Sequence, residues 1–519
     1  MRIQNSLKNM FFGLSGQIIS LVMGMVVRTV FIYTLGIEYL GVDGLFTSIL
    51  LMLSLANLGF DTAMIYSLYK PLAENDTYKI QALMNLYKKA YRIIGIVVLL
   101  IGLSLLPFLP YLINGETKID NINIIYLLFL LQSVSSYYFV YKQSIIVADQ
   151  RNHVISKIHS VFIIISNLFL IILLLTIGNY LIVLSTQVVF RIIENAYIAK
   201  KADKLYPFLK ENNNASLTKK DRKLFYENLY SLFLYKISGV VINGTDNIII
   251  AIFAGITWVG IYSNYLLIIT TLTTLLSYIF YSITASVGNL NVSGNEEKNY
   301  FIFRVINFAN FWVYGFSAVC LLSLINPFIS LWLGEQYLMN MFIVFAIILN
   351  FYTAGMQNAT TTFRETTGLF KKGKYRPIIA AIINIGVSII LTRAIGIAGV
   401  FLGTVISRLC IYFWYDPYVI FKYVFHKPVK SHFIRYIGFT LLVTLSAIIS
   451  GILGSISYNN MVINIVYKGV VCLIIPNIIF FLVFRKSKEF IYLWSIVKQI
   501  AKKASFKLLT KKTYYHEHQ

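Results

Sequence analysis

The stretch IIGIVVLLIGLSLLPFLPYLI, Ile93–Ile113, decides the class of fold. It contains no charged residue, and as a helix it is long enough to cross about 30 Å of hydrocarbon. A second stretch of the same kind is SVFIIISNLFLIILLLTIG, Ser160–Gly178. Continuous apolar runs exclude a transmembrane β-barrel, whose strands alternate apolar and polar residues over about ten positions. The sequence therefore predicts an all-α polytopic membrane protein.

Composition supports this prediction along the whole chain. Of its 519 residues 58% are hydrophobic and 13% are charged, whereas soluble proteins carry about 25% charged residues. We predict about fourteen transmembrane helices from the lengths of the apolar runs. They lie at residues 11–35, 42–66, 91–113, 123–147, 158–177, 180–198, 232–253, 258–287, 305–329, 338–361, 377–393, 397–419, 434–456 and 462–484.

The basic residues alternate between the two sides of the membrane. The chain has 45 Lys and Arg against 21 Asp and Glu, a net charge of +24. Alternate connections are rich in them, as in Lys200–Lys236 and Arg485–Lys512, whereas the opposite connections hold Lys118 and Arg393. By the positive-inside rule both termini are cytoplasmic. Most of the net positive charge is then explained by the orientation of the helices in the membrane and by contact with anionic lipid headgroups. We therefore expect no nucleic-acid partner.

The connections on the outer side are short. The longest, Asn114–Ile122, has the sequence NGETKIDNI, and all six His residues fall in predicted cytoplasmic segments or, for His159, at the cytoplasmic end of a span. A membrane glycan polymerase or ligase would be expected to carry a sizeable outer loop with candidate catalytic groups. The sequence therefore favours a protein that is not an enzyme, although the glycan enzyme stays as a minor alternative.

A polar cytoplasmic linker, residues 200–231, divides the chain into similar parts. We predict an N-terminal six-helix lobe at 1–199 and a C-terminal six-helix lobe at 232–420. Two additional helices occupy 434–485, and residues 486–519 form a basic amphipathic tail. Internal repeats of this kind are common in transporters, whose substrate site lies between them near mid-membrane.

The starts of the two lobes share a glycine pattern. LGIEYLGVDGLFTSIL (Leu35–Leu50) follows the first span, and AGITWVGIYSNYLLII (Ala254–Ile269) follows the seventh. A constant offset of 219 positions relates the matching residues, which are Gly36, Ile37 and Gly41 in the first stretch and Gly255, Ile256 and Gly260 in the second.

The stretch TDNIIIAIFAGITWVGIYSNYLL, Thr245–Leu267, resembles the seventh helix and following turn of bacterial polysaccharide flippases, which carry O-antigen or capsule repeat units. The same superfamily holds multidrug exporters and the lipid II flippase. The matching residues are Asp246, Gly255, Val259, Gly260, Tyr262 and Ser263. The first hairpin is similar to the family's opening at Arg28, Leu35, Gly36, Leu40 and Gly41, with Leu40 replacing an aromatic residue. The resemblance implies two pseudo-symmetric lobes around a cavity that opens alternately to each side.

Charged residues inside predicted spans are candidates for the transport site. Arg28 and Arg408 suit phosphate oxygens, because the guanidinium fork binds them in pairs. Asp246 would pair with a proton, Na⁺ or a basic side chain, and Asn243 and Asn247 make its helix polar. For each charge the alternative is an inter-helix ion pair without a ligand. Asp61, about one turn inside the cytoplasmic surface, is a candidate gate contact.

The tenth span carries neutral polar residues. Asn350, Thr353 and Gln357 follow a helical stripe, and Asn358 broadens it. Such a stripe either bonds a neighbouring helix or lines a cavity for sugar hydroxyls. The sequence leaves both alternatives open.

These features favour a flippase over other transporters. We expect it to move undecaprenyl-diphosphate-linked oligosaccharide repeat units to the outer leaflet by alternating access, without a cofactor and with coupling to a proton or sodium gradient. Other polysaccharide-assembly proteins are candidate partners. A multidrug-type exporter is the alternative, but its cationic drugs call for acidic groups where Arg28 stands. A lipid II flippase is another alternative. Resemblance to that subfamily would imply an arginine in the eighth helix, and this sequence has no arginine between Trp258 and Gly294.

Overall fold

A computed structural model describes residues 2–57, 59–113, 119–210, 215–292, 296–367, 369, 372–456, 458 and 460–498. The fold is all-α, and these ranges contain no β-strand. The helices are α1 (Arg2–Leu35), α2 (Ile37–Leu53), α3 (Phe60–Glu74), α4 (Thr77–Ser104), α5 (Leu109–Leu112), α6 (Ile122–Val140), α7 (Gln143–Ala148), α8 (Asn152–Thr176), α9 (Tyr180–Leu205), α10 (Lys219–Ala254), α11 (Ile256–Val292), α12 (Glu296–Leu333), α13 (Met341–Gly355), α14 (Asn358–Thr366), α15 (Arg376–Ile395), α16 (Ala398–Arg408), α17 (Trp414–Ile420), α18 (Lys430–Leu453) and α19 (Met461–Phe484).

Within the described ranges, 13 helical segments are long and apolar enough to span a membrane. The prediction of a polytopic all-α membrane protein is therefore confirmed. The second predicted span, 42–66, is not among these 13 segments. It is divided between α2 and α3 by a short 3₁₀ turn, Ser54–Asn57, and by Gly59 at a φ of 85°. Glycine adopts this left-handed conformation without the steric strain of a side chain, so the helix ends here.

Other predicted spans are also interrupted, the tenth and the twelfth among them. The tenth is broken by a turn at Met356 and Gln357, so the predicted polar stripe lies on two helices, α13 and α14. In the twelfth, α16 passes into a π-helical turn at Leu409–Phe413 before Pro417 of α17. Proline has no N–H and its ring displaces the carbonyl four residues earlier, which accounts for the widened turn.

The chain packs as two compact units, which are described separately. The first unit comprises Met1–Ile279, Tyr337–Ile347 and Gly373–Ile411, and the second comprises Phe280–Gln336, Ile348–Lys372 and Tyr412–Gln519. The predicted lobe boundaries stay a prediction.

Aromatic packing is prominent in the core of each unit. In the first unit Phe46 is fully buried and meets the ring of Tyr126 edge-on at 5.2 Å. In the second unit Phe311 stacks on Phe439 at 4.2 Å. Another cluster there is formed by Phe303, Phe363, Ile420, Phe421 and Phe425 with their neighbours Ile306 and Ala359. Such ring pairs favour edge-on or offset contacts and help to fix helix positions.

Candidate functional site

The candidate site begins with two glycines of identical backbone conformation in the first unit. Gly36, between α1 and α2, has φ 95° and ψ 166°, and Gly255, between α10 and α11, has φ 94° and ψ 166°. A residue with a side chain rarely adopts these angles. The repeat offset seen in the sequence therefore corresponds to a repeated backbone turn.

The helices that follow these turns approach each other closely. A Cβ atom added at Gly41 of α2 would collide with the main-chain oxygen of Ile256, and one added at Gly260 of α11 would collide with that of Ile37. The two contacts are reciprocal and the same offset relates them. We name this crossing of α2 and α11, with the adjacent parts of α1 and α10, the repeat junction.

Arg28 and Asn247 occupy equivalent places at the repeat junction. Arg28 Nη1 donates to the main-chain oxygen of Ser263 and, at 3.4 Å, to Asn264 Oδ1. Asn247 Nδ2 donates to the main-chain oxygen of Gly44 at 3.2 Å. The donors Arg28 and Asn247 are 219 positions apart, and so are the residues of the accepting carbonyls, Gly44 and Ser263. The repeat counterpart of Arg28 is therefore Asn247, and Asp246 lies one position away from it.

Arg28 has an acidic neighbour that the sequence analysis overlooked. Asp43 of α2 lies close enough to Arg28 for electrostatic attraction. Tyr180 also lies in the field of Asp43; its side chain is buried, and its hydroxyl has no hydrogen-bond partner within the described ranges. Asp43 lies at the edge of a predicted span, where a carboxylate is expected to be in water. Nothing in the sequence therefore marks it as a neighbour of Arg28. Asp43 therefore attracts Arg28, but among the described residues the two side chains do not lie within ion-pair distance of each other.

Asp246 lies in a second polar cluster of the first unit. Its carboxylate attracts Arg408, and the Thr404 hydroxyl is placed to hydrogen-bond it. Asn384 Nδ2 donates to Thr404 Oγ1 at 2.9 Å, and the Thr245 hydroxyl lies 3.4 Å from Asn384 Oδ1. Asn384 is 0% exposed and Asp246 is 8% exposed. The structure thus brings together Asp246 and Arg408, two of the residues selected from the sequence, and adds Asn384 and Thr404.

Some oxygen atoms of this region have no hydrogen-bond donor. Oδ1 of Asp246 and Oδ1 of Asn247 are buried, and neither has a partner among the described residues. An unsatisfied buried polar atom costs about 1–3 kcal/mol, and more when it is charged. A proton or a cation bound at Asp246 would remove that cost. Asn243 lies on the same helix, but its side chain is outside the part of the structure that is described.

The other polar candidates lie in the second unit. Thr353 is buried and its hydroxyl donates to the main-chain oxygen of Leu349 at 2.8 Å. Asn358 Nδ2 donates to the Tyr314 hydroxyl at 2.9 Å, as the helix-bonding alternative expects. Asn350 and Gln357 are half-buried, which leaves them compatible with either role.

Asp61, the candidate gate residue, is held by α4. Its Oδ1 accepts hydrogen bonds from the hydroxyls of Tyr87 and, at 2.7 Å, Tyr91. Both tyrosines are fully or almost fully buried, and their rings pack edge-on at 4.5 Å. In this conformation Asp61 therefore joins α3 to α4. Whether it also acts as a gate stays a prediction.

A buried ion pair in the second unit was missed by the sequence analysis. Arg364 of α14 is 1% exposed and donates to Asp416 of α17 and to the main-chain oxygen of Lys372. The sequence places Arg364 in a basic connection, where a solvated side chain is the normal expectation. Asp416, two turns from Arg408, bonds to Arg364. Among the described residues, no three His, Cys, Asp or Glu side chains are grouped to hold a metal ion.

Comparisons with known proteins show similarity of structure. No family model matches the sequence, and no curated protein matches it. The lipid II flippase MurJ, in an inward closed conformation, superimposes with a TM-score of 0.60 at 17% identity, over 90% of this chain and 98% of that chain. The chain therefore shares the fold of this flippase.

Two MATE transporters share this fold as well, and the first of them is a multidrug resistance transporter of the MOP superfamily. An inward-facing MATE family transporter matches with a TM-score of 0.53 at 12% identity, over 76% of this chain and 91% of that one. The Vibrio cholerae MATE transporter VcmN matches with a TM-score of 0.56 at 11% identity, over 82% of this chain and 98% of that one. Identities this low establish the shared fold and leave the cargo open.

Proposed function

We propose that this chain is a flippase that moves undecaprenyl-diphosphate-linked oligosaccharide repeat units to the outer leaflet of a bacterial cytoplasmic membrane. The observation that carries the proposal is the fold shared with the lipid II flippase MurJ over 90% of the chain. Both termini would be cytoplasmic, as the distribution of Lys and Arg favours. Other polysaccharide-assembly proteins would receive the translocated unit.

Arg28 is the proposed phosphate contact. A diphosphate entering hydrocarbon needs charge-assisted hydrogen bonds, and an arginine fork supplies two of them. Arg28 now donates to neutral oxygens of Ser263 and Asn264 and attracts Asp43. A phosphate would compete with these acceptors for the same N–H groups. Arg408, beside Asp246, is the second candidate.

Asp246 is the proposed coupling residue. Its unpartnered Oδ1, together with the oxygens of Asn384 and Thr404, forms an oxygen-rich buried surrounding. Either a proton or Na⁺ bound there would neutralise the carboxylate. Neutralisation would weaken its attraction to Arg408 and leave Arg408 freer to bind phosphate, so ion binding and cargo binding would be linked through one pair of side chains.

The neutral polar residues of the second unit are the proposed sugar contacts. Amides such as Asn350 and Gln357 both donate and accept hydrogen bonds, as sugar hydroxyls do. Asn358 already donates one hydrogen bond to Tyr314, so only its remaining donor and its acceptor oxygen would be available to a sugar.

Two alternatives share this fold. Lipid II itself is the cargo that the likeness to MurJ favours. Export of cationic drugs is the function that the MATE transporters favour. Arg28 argues against the second alternative, because a cation in the first helix repels a cationic cargo.

Mass spectrometry of lipids that co-purify with the protein in mild detergent would test the proposal. We expect polyprenyl-diphosphate oligosaccharides to be enriched over an unrelated polytopic protein from the same membranes. The Arg28→Gln variant, purified in parallel, should lose that enrichment and keep its bulk phospholipids. Enrichment of lipid II in place of the oligosaccharide would support the first alternative. Binding of cationic dyes, with no polyprenyl lipid, would overturn the proposal.

A further inference from the structure

A basic pocket lies in the first unit between α4, the end of α6 and α9. Its volume is about 680 Å³. Lys88 and Arg92 come from α4, Lys142 from the turn after α6, and Lys200 and Asp203 from α9. None of these residues belongs to the repeat junction or to the cluster around Asp246. The distribution of basic residues assigns this end of the helices to the cytoplasmic side.

The charges of the basic pocket are not balanced. Lys142 Nζ is bound by both carboxylate oxygens of Asp203, at 2.7 and 2.6 Å. In the described part of the chain, no carboxylate lies within ion-pair distance of Lys88, Arg92 or Lys200, and all three side chains are exposed. Three positive charges therefore face one opening without a counter-charge. Their mutual repulsion would be relieved by an anion.

The walls of the basic pocket are aromatic and aliphatic. Tyr138, Ile193 and Tyr197 line it and are each about half exposed, at 50%, 49% and 52%. Tyrosines at the ends of membrane helices favour the interface, where the ring meets acyl chains and the hydroxyl meets water. The described lining contains no Asn, Gln, Ser or Thr. It therefore lacks the amides and small hydroxyls that would bind an oligosaccharide.

We infer that the basic pocket binds the phosphodiester headgroup of an anionic phospholipid from the cytoplasmic leaflet. Lys88, Arg92 and Lys200 contact the phosphate, and the acyl chains lie along Tyr138, Ile193 and Tyr197. The inference does not depend on the proposed cargo, because the lining suits a small headgroup with two chains. A site of this kind would make the stability of the first unit depend on membrane composition.

The test uses the full-length protein in detergent micelles and titrates dioleoylphosphatidylglycerol, with dioleoylphosphatidylcholine as the zwitterionic probe. Bound lipid is counted by native mass spectrometry. The triple variant Lys88→Gln, Arg92→Gln, Lys200→Gln should bind phosphatidylglycerol at least ~10-fold more weakly, since each basic residue near an anionic lipid surface contributes roughly fivefold. Its binding of phosphatidylcholine should not change.

A matched control removes the same charge elsewhere. Lys219, Lys220 and Lys223 are exposed basic residues at the start of α10. Their triple replacement by Gln should leave phosphatidylglycerol binding within about twofold of the native protein. An equal loss in both triple variants would overturn the inference, because binding would then follow net charge and not the pocket.

Asp203→Asn changes the charge of the pocket in the opposite direction to the triple variant. It releases Lys142 from its ion pair and adds a positive charge to the pocket. Phosphatidylglycerol should therefore bind more tightly, whereas a purely structural role for the pair predicts weaker binding. Displacement of the lipid by inorganic phosphate at equal concentration would overturn the headgroup assignment in favour of a free anion. Displacement by undecaprenyl diphosphate, but not by phosphatidylcholine, would overturn it in favour of the carrier lipid.

Discussion

Replacing Arg28 by Gln and by Lys separates a phosphate-binding role from a structural one. In the structure Arg28 donates to the main-chain oxygen of Ser263 and to Asn264 Oδ1. Gln keeps an N–H donor, although on a side chain two bonds shorter, and loses the charge. At the equivalent place, Asn247 bonds the oxygen of Gly44 with just such an amide. Lys keeps the charge and loses the fork. We expect Gln to preserve the junction and Lys to preserve part of transport.

The size of the effect follows from the two kinds of hydrogen bond. A neutral bond contributes about 0.5–1.5 kcal/mol and a bond to a charged group about 1.5–3 kcal/mol. Replacing charged hydrogen bonds to a bound phosphate by neutral ones therefore raises the free-energy barrier to translocation by roughly 1–3 kcal/mol. The transport rate of Arg28→Gln should fall ~10- to 100-fold. Because Gln can still donate to Ser263, the unfolding temperature should change by no more than a few degrees, about what 1 kcal/mol produces.

The assay is flipping of a fluorescent undecaprenyl-diphosphate oligosaccharide in proteoliposomes, with an impermeant quencher reporting the exposed leaflet. Detergent thermal unfolding and size-exclusion chromatography serve as controls for folding. The order of rates should be native, Arg28→Lys, then Arg28→Gln. If Arg28→Gln flips at the native rate while Arg28→Lys fails, the donor alone matters. Arg28 would then be the structural counterpart of Asn247, and the phosphate-binding proposal would be refuted.

Three further predictions concern coupling and stability. Asp246→Asn should insert normally but lose acceleration by an imposed proton or Na⁺ gradient in the same proteoliposomes; a gradient response equal to that of the native protein would exclude it as the coupling residue. Arg364→Met should destabilise the protein by about 3–5 kcal/mol in thermal unfolding, because it removes a charged partner of the buried Asp416 carboxylate; adding Asp416→Leu should restore part of that loss. Gly260→Ala should cost about 1–3 kcal/mol, since the new methyl group meets the main chain of α2. Gly239→Ala, where a Cβ meets nothing within 4 Å, is the matched control.

Local signals in the sequence were sufficient for the fold class and for the repeat. Apolar run length depends on composition alone, and it located the spanning helices other than the second, which is divided at Gly59. The glycine pattern predicted a repeat because a positive φ and a close helix crossing both require a missing side chain. The structure confirms this in the matching angles of Gly36 and Gly255 and in the reciprocal contacts of Gly41 and Gly260.

Long-range pairings could not be predicted in the same way. Arg364 and Asp416 are 52 positions apart, and nothing in either neighbourhood marks them as partners. Asp43 was overlooked for a different reason, because hydropathy averages conceal one carboxylate at the edge of a span. Asn384 and Thr404 are neutral and become notable only when the fold brings them to Asp246. Their contribution depends on tertiary contacts, which periodicity does not encode.

The repeat junction itself suggests why charged residues stand beside it. Arg28 and Asn247 donate to equivalent carbonyls, those of Ser263 and Gly44. The junction therefore needs only a hydrogen-bond donor at each place, and Asn247 shows that a neutral amide is sufficient. A charge within a membrane helix costs at least about 2.5 kcal/mol by insertion scales. The positive charge of Arg28 and the carboxylate of Asp246 thus exceed what the junction requires. Attraction to Asp43 and to Arg408 offsets part of that cost, and we propose that a bound phosphate and a bound cation offset more of it.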